Sequence, residues 1–362
     1  MRILYFSRDY TTHDHRFLTA LSKTSHQVFY LRLEDGGLTL DKRPLPQGIE
    51  HMEWAGGHKP ATLRDGLHLV NDLRRVIHRV KPDLIQAGPI QRSAFLVALA
   101  GFHPLLSMSW GYDLLYDAHI NPFCRWATRF TLRHSDAMLG DCNTIRKLAI
   151  SFGMREDRIV TFPWGIDLRQ FNYLSPPSMD KTIFSLLSTR SWEPIYGIDV
   201  IARAFVIAAR MRPELRLTLL GNGSQAASIR QSLLIGAAYD RVSFPGIIPN
   251  AELPDYFCNA DVYVGASHSD GTSISLLEAF ATGTPAIVPD IPGNREWIIP
   301  GENGWLFTDG DVDGLASTIM SAMDQRQSLP IMGRKARLVA EARADWEKNF
   351  PQLETAYALA LR

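Results

Sequence analysis

The segment HSDGTSISLLEAFATGTPAIVPDIPGNREW (268–297) holds the residues best suited to chemistry. Asp270 lies just before a predicted helix and Glu278 lies inside it. Ser273 is placed to cap that helix, and Gly283 and Pro285 are placed to stop it. The amides of Gly271, Thr272 and Ser273 then point out of the helix start, which makes it a site for an anion. A diphosphate bound there leaves Asp270 and Glu278 to accept hydrogen bonds from hydroxyls. A ligand with phosphates and many hydroxyls is a sugar nucleotide. Taken alone, each carboxylate has a plainer reading: Asp270 as a mere cap, Glu278 as part of a solvated face. The flanking sequence decides between them.

The elements that must carry these residues alternate along the chain. Strand-like runs occur at 1–7, 26–34, 82–88, 105–110, 136–141 and 158–164, with helical patterns between several of them. Residues 63–80 place Leu63, Leu67, Val70, Leu73, Ile77 and Val80 on one predicted face. NYLSPPSMDK (172–181) has two prolines and little apolar content and reads as a linker. The alternation restarts with strands at 182–188, 215–221, 242–246, 261–267, 284–290 and 304–307, and a helix at 199–211 turns Ile201, Ala204, Phe205 and Ala208 inward. This βα order predicts an α/β chain of two Rossmann-like, doubly wound domains facing a cleft. Ligands of such sheets bind beyond the carboxyl ends of the strands. The expected boundaries are a first domain at 1–172, a linker at 173–181, a second domain at 182–343 and a last helix at 344–362.

Bulk properties agree with this division. A chain of 362 residues exceeds what one hydrophobic core usually spans. Its formal net charge is zero, so no global field selects nucleic acid as a partner. Cys124, Cys142 and Cys258 suit neither a zinc cluster nor a disulfide framework, which fits a reducing, cytoplasmic compartment. MRILYFS reads as a buried strand rather than a signal peptide, and the longest apolar stretch, 93–102, is too short to span a bilayer.

The run from Asp270 through seven residues to Glu278-Ala279-Phe280-Ala281-x-Gly283-x-Pro285 resembles the Glu-x7-Glu signature of retaining glycosyltransferases of the GT-B fold, glycosyltransferase family 4. ADVYVGAS (260–267), PGENGWLF (300–307) and FPWGIDLRQF (162–171) resemble its flanking segments, so the likeness covers nearly the whole chain. It implies that Glu278 holds the ribose hydroxyls of the donor and Asp270 the hydroxyls of the transferred sugar. Asp270 departs from the family's first Glu but keeps the carboxylate. STRSWEPIYGIDVIARAF (188–205) resembles the stretch where the family places an Arg and then a Lys on the diphosphate. Arg190 matches the Arg; at the Lys position Tyr196 precedes Gly197 instead. In LTLLGNGSQ (217–225), Gly221, Asn222 and Gly223 match the loop that the family sets beside the donor phosphates, although a lone Gly-x-Gly also serves as a tight turn. FPGII (244–248) resembles the base-contacting loop.

The first domain is expected to take the acceptor. His13 and Asp14, with His15 and Arg16, follow the first strand as a polar cluster able to meet an acceptor sugar or the donor's phosphates. Trp110 stands where the family commonly has a His; it offers a stacking wall rather than acid–base chemistry, and Tyr112 and Asp113 complete a polar edge. Residues 74–81 and 125–133 mix basic and apolar side chains, which suits a solvated helix face or a peripheral contact with an anionic membrane. No Asp-x-Asp turn that would suggest a metal–diphosphate site is present and the His, Cys and acidic residues show no metal-ligand spacing, so neither metal nor cofactor is expected and a UDP- or GDP-sugar is the implied donor. The implied reaction moves a hexose with retention to a hydroxyl of a glycan or lipid-linked acceptor. A sugar-nucleotide epimerase of the same fold and a catalytically lapsed nucleotide-sugar-binding protein are the competing readings.

Overall fold

A computed structural model describes residues 1–35, 43–172 and 182–362, so the expected linker at 173–181 lies outside the described residues. The chain divides into two units: Met1–Phe162 with Phe350–Arg362, and Pro163–Asn349. The first division falls ten residues before the expected boundary at 172. The reason is local: Ile166 bridges to Asp345, and Ile166 and Phe171 are buried in a core of the second unit.

In the first unit the strands are β1 (Arg2–Ser7), β2 (Gln27–Arg32), β3 (Ile49–His51), β4 (Leu84–Gly88), β5 (Leu105–Met108), β6 (Ala137–Gly140) and β7 (Ile159–Thr161). All pair in parallel in the order β3-β2-β1-β4-β5-β6-β7. Helices cover the faces: α1 (Thr12–Leu21), α2 (Gly66–Val80), α3 (Phe95–Ala100), α4 (Tyr112–Leu115), α5 (Pro122–Arg133) and α6 (Asn143–Ser151). Strands covered on both sides are largely apolar, which is why β1 and β6 read as near-continuous hydrophobic runs. The short edge strand β3, with its half-exposed IEH, carries no such run and is not visible in the sequence. The inward face of α2 is Leu69, Val70, Leu73, Val76 and Val80. Leu67, expected on that face, is 84% exposed, because the stripe that meets the sheet begins one turn later.

In the second unit β8 (Phe184–Ser188), β9 (Leu215–Leu220), β10 (Val242–Gly246), β11 (Val262–Val264), β12 (Ala286–Pro289) and β13 (Gly304–Phe307) form a parallel sheet in the order β10-β9-β8-β11-β12-β13. The helices are α7 (Ile198–Met211), α8 (Ala226–Ile235), α9 (Leu253–Asn259), α10 (Ile274–Ala281), α11 (Pro292–Arg295), α12 (Val312–Asp324) and α13 (Leu329–Arg343). One face of the sheet buries a core with α7 and α12, including the expected Ile201, Ala204, Phe205 and Ala208; the other buries one with α10 and α13. The strand order reverses between β8 and β11. At such a reversal the two following loops diverge to opposite faces and open a crevice at the carboxyl edge. Arg190 follows β8, and residues 270–273 follow β11.

The chain then continues through α14 (Trp346–Asn349) in the second unit and α15 (Gln352–Ala360) in the first. The single helix expected at 344–362 is broken by Phe350-Pro351, since proline cannot continue a helix. α15 lies on β5, β6 and β7, where the buried Tyr357 hydroxyl donates to Gln86 Oε1 at 2.6 Å.

Candidate functional site

Each end of α10 is fixed by local chemistry. Gly283 takes φ +72°, its amide bonds to Phe280 O at 3.1 Å and the Thr284 amide to Ala279 O at 2.8 Å, a Schellman ending that only glycine adopts without strain. At the start, Ser273 occupies the cap position, but its side chain makes no capping hydrogen bond, contrary to expectation; its carbonyl accepts from Leu277 at 3.1 Å. The loop before it is held from the far side by α11. A side-chain carbon on Gly293 would lie 2.1 Å from Gly271 O and 2.4 Å from Asp270 O, so the close approach of the two backbones needs glycine.

Asp270 and Arg190 meet across the crevice. Arg190 Nη2 is 3.1 Å from Asp270 Oδ2. The Tyr196 ring supports the guanidinium from one face, with Arg190 Cζ 4.1 Å from its centroid. Glu278, one turn into α10, is 5% exposed and its charge reaches the same guanidinium. Burial opposes the charge of Arg190, but the fields of Asp270, Tyr196, Tyr263 and Glu278 outweigh it and hold its pKa above the ordinary arginine value. Tyr263, at the heart of β11, lies beneath this cluster; burial pushes its hydroxyl up to about 12. The five side chains therefore form one electrostatic unit, with two carboxylates around a single cation.

This unit is incompletely satisfied. Ser188 Oγ, Thr189 Oγ1, Arg190 Nε and Asp270 Oδ2 are all buried without a hydrogen-bond partner among the described residues. Asp270 Oδ2 is near enough to Arg190 for an ion pair but is misaligned for a hydrogen bond. Buried polar atoms are nearly always paired, so a group of orphans from one strand end and the facing loop calls for a polar ligand. Donors and acceptors are both on offer, which suits a ligand carrying phosphates as well as hydroxyls.

Gly221, Asn222 and Gly223 lie against the Arg190 loop. A side-chain carbon on Gly221 would come within 2.9 Å of Arg190 O, and one on Gly223 within 2.6 Å of the Trp192 carbonyl group. The Trp192 amide donates to Asn222 O at 3.0 Å, and Trp192 Nε1 to Leu220 O at 2.8 Å. The glycines thus let the loops after β8 and β9 zip together and fix the backbone on which Arg190 stands. In FPGII, Gly246 O accepts from the Gly221 amide at 2.7 Å and Ile247 is exposed.

In the first unit the expected residues divide into two sets. His13 and Trp110 come together, ring centroids 5.5 Å apart, with Phe17 edge-on to Trp110 at 6.1 Å. Tyr112 is exposed and stacks on Tyr116 at 5.1 Å. Asp14 and Asp113 turn inward instead. Asp14 closes a capping box with Thr11 and accepts from the Tyr5 hydroxyl at 3.1 Å. Asp113 accepts from Ser109 Oγ at 2.6 Å and the Ile90 amide at 2.9 Å, tying the loops after β4 and β5 together. Burial pushes both carboxyls up to about 6. The geometry makes these two aspartates loop fasteners rather than ligand-facing groups. His15 is likewise engaged, its Nδ1 2.6 Å from the Tyr10 hydroxyl.

One contributor to the site is absent from the sequence reading: Tyr263 reads there as one more core residue of an apolar strand. Tyr196 is expected at the donor site in place of the family's lysine, but its stacking on Arg190 is not visible in the sequence.

Comparison with known proteins bears on the whole chain. Residues 176–339 match the family model of glycosyl transferases group 1, and residues 11–165 match that of the glycosyl transferase 4-like domain. The chain is 30% identical over 157 residues to the UDP-N-acetylglucosamine–peptide N-acetylglucosaminyltransferase GtfA subunit of Streptococcus pneumoniae serotype 4, covering 43% of this chain and 30% of that protein. It is 25% identical over 207 residues to the amylovoran biosynthesis glycosyltransferase AmsK of Erwinia amylovora, covering 55% and 49%. The chain thus spans less than a third of the first of these relatives and about half of the second. A weaker likeness to glycogen synthase of Mycobacterium tuberculosis, 23% identical, spans 100% of this chain and 95% of that one. Among solved structures, Anabaena HepE in complex with UDP superposes with a TM-score of 0.81 at 19% identity, covering 99% and 100% of the two chains. Sucrose-phosphate synthase from Thermosynechococcus elongatus gives 0.80 at 17%, covering 99% and 98%. Two parallel Rossmann-like sheets, the reversal at β8 and β11 and both family matches agree: the chain has the GT-B fold of a glycosyltransferase, its second half matching the glycosyl transferases group 1 family and its first half the glycosyl transferase 4-like domain.

Proposed function

We propose that this chain is a retaining hexosyltransferase that uses a nucleotide-diphosphate sugar, with UDP the first choice of carrier. The observation that carries the proposal is the group of unsatisfied buried polar atoms around Arg190 and Asp270 at the strand-order reversal. The diphosphate lies against Arg190 and the amides that open α10 at Gly271, Thr272 and Ser273. Glu278 takes the ribose hydroxyls, and Asp270 takes hydroxyls of the hexose. Arg190 leaves part of its pairing with Asp270 for the phosphates, and Tyr196 keeps its guanidinium in place as it does so. UDP as carrier is supported by relatives named for a UDP-sugar or solved with UDP.

In the reaction the bond between the sugar and the diphosphate oxygen breaks, and a bond to an acceptor hydroxyl forms on the same face. The acceptor proton leaves with the nucleoside diphosphate. Charge on the leaving group is stabilised by Arg190 and the helix start, placed before the reaction begins. Metal independence is part of the proposal. His13, Trp110 and Tyr112 serve the acceptor, a glycan or lipid-linked sugar of polysaccharide or glycolipid synthesis.

Purified protein incubated with radiolabelled UDP- and GDP-sugars and a membrane lipid extract tests this. Label transferred to lipid or glycan is the expected result. Conversion of the donor sugar with no acceptor would assign an epimerase, and tight donor binding with no turnover a lapsed binding protein; either overturns the proposal.

A further inference from the structure

Between Tyr112 and Trp126 the first unit exposes large apolar side chains in unusual density. Tyr112, Tyr116, Ile120, Phe123 and Trp126 are each between 43 and 55% exposed. The turn at Asp117–His119 packs on both α4 and α5 and so joins the elements that carry them; Tyr112 stacks on Tyr116 at 5.1 Å, and Phe123 lies 5.7 Å from Trp126. The aromatic part is ordered rather than scattered. Phe123 and Trp126 lean on Phe95 of α3 at 6.2 and 5.7 Å, and Trp126 stacks on Phe130 at 5.4 Å. The rings are therefore held up from below and left uncovered above. Such a contiguous patch on a folded chain marks a contact.

Charge says what covers it. Arg125, Arg129 and Arg133 recur every four residues on α5 and form an exposed row beside the aromatic one. No Asp or Glu occurs anywhere in 118–135, although the whole chain is neutral. A basic row flanking aromatic and aliphatic side chains is what the headgroup region of an anionic bilayer accepts: guanidinium forks meet lipid phosphates while the rings enter the acyl boundary. Among the described residues no helix is long and apolar enough to cross a membrane.

We propose that the face formed by α4, the Asp117–His119 turn and α5 docks this chain on an anionic lipid surface. The contact is peripheral and electrostatically selective. The face begins at Tyr112, two residues from Trp110, so docking brings lipid-borne sugars to the residues proposed to receive the acceptor. The docking itself holds whether or not the donor assignment does, since α10 and Arg190 are in the other unit.

Vesicle flotation of the full chain at physiological ionic strength tests it, with phosphatidylcholine alone and mixed with phosphatidylglycerol. The chain is expected to float with the mixed vesicles and far less with phosphatidylcholine. Arg125→Gln with Arg129→Gln is expected to lower partitioning on mixed vesicles about 25-fold, the product of roughly fivefold per arginine. Phe123→Ser with Trp126→Ser is expected to abolish flotation. Should that pair unfold the chain, as a thermal melt would reveal, Ile120→Ser stands in, because its side chain is outside the ring cluster on Phe95. Failure of the wild-type chain to float with either vesicle overturns the proposal, as does flotation indifferent to the arginine pair and to Ile120→Ser. Self-association without vesicles that Trp126→Ser abolishes would assign the face to a second copy of the chain and also overturn it.

Discussion

Among the described residues Arg190 is the one cation in its cluster, and its surroundings define how it can be changed. The ring of Tyr196 holds the guanidinium flat and the Asp270 carboxylate turns it. A partly desolvated cation–π contact is worth about 1–2 kcal/mol. Tyr196→Leu is therefore expected to weaken UDP binding by roughly tenfold, while Tyr196→Phe, which keeps the ring face, leaves affinity near that of the wild-type chain. Equal losses in both variants, measured by calorimetry, would show that the hydroxyl and not the ring matters. At this scale the sequence marked Arg190, Asp270 and Glu278 as candidates, because their spacing is tied to a recognisable helix with fixed ends, and the fold brings the three together. It misassigned Asp14 and Asp113. A carboxylate at the end of a βα loop looks the same in sequence whether it faces a ligand or fastens the loop; only burial and partners separate the two.

The elements depend on a few close approaches. Gly293 lets α11 touch the backbone of Asp270 and Gly271, and any side chain there must push that loop away. Gly293→Ala is expected to keep the fold but weaken nucleotide binding at least tenfold, or about 1.4 kcal/mol; unchanged affinity would mean that the loop before α10 is no part of the site. The two buried aspartates make a prediction about pH. Their folded pKa values, raised to about 6, exceed the ordinary aspartate value, so the folded state holds protons that the unfolded state releases. Their stabilising contribution is complete below about pH 4 and is lost as pH rises through about 6, on the order of 2–3 kcal/mol for each. Asp14→Asn is expected to flatten the fall in stability across this window, read from chemical denaturation at a series of pH values. An unchanged profile would contradict the burial argument. Elements with long apolar runs were legible in advance, whereas β3 was not, because three half-exposed residues on a sheet edge need no hydrophobic pattern. The exposed Leu67 was misplaced for a related reason: periodicity gives the stripe of a helix but not the turn at which the neighbouring sheet begins.

For the whole molecule, the two units and their parallel sheets follow from the prevailing alternation of strands and helices, and the return of the chain end follows from the packing of α15. Tyr357 is fully buried there and bonds to Gln86 at the centre of the first sheet. Tyr357→Ala is expected to cost about 3–5 kcal/mol, as for other large core truncations. Denaturation should report that loss in the first unit, and a loss below about 1 kcal/mol would show that α15 rests on the sheet without stabilising it. The central claim is that a nucleoside diphosphate binds the second unit through Glu278 and the Arg190–Asp270 cluster. Titration calorimetry of the full chain with UDP and GDP, before and after Glu278→Ala, tests it most directly. The account predicts saturable binding of at least one nucleotide by the wild-type chain and none by the variant, with the thermal melt of the variant intact. Equal affinity in the two proteins, or no binding of either nucleotide by the wild-type chain, would contradict it.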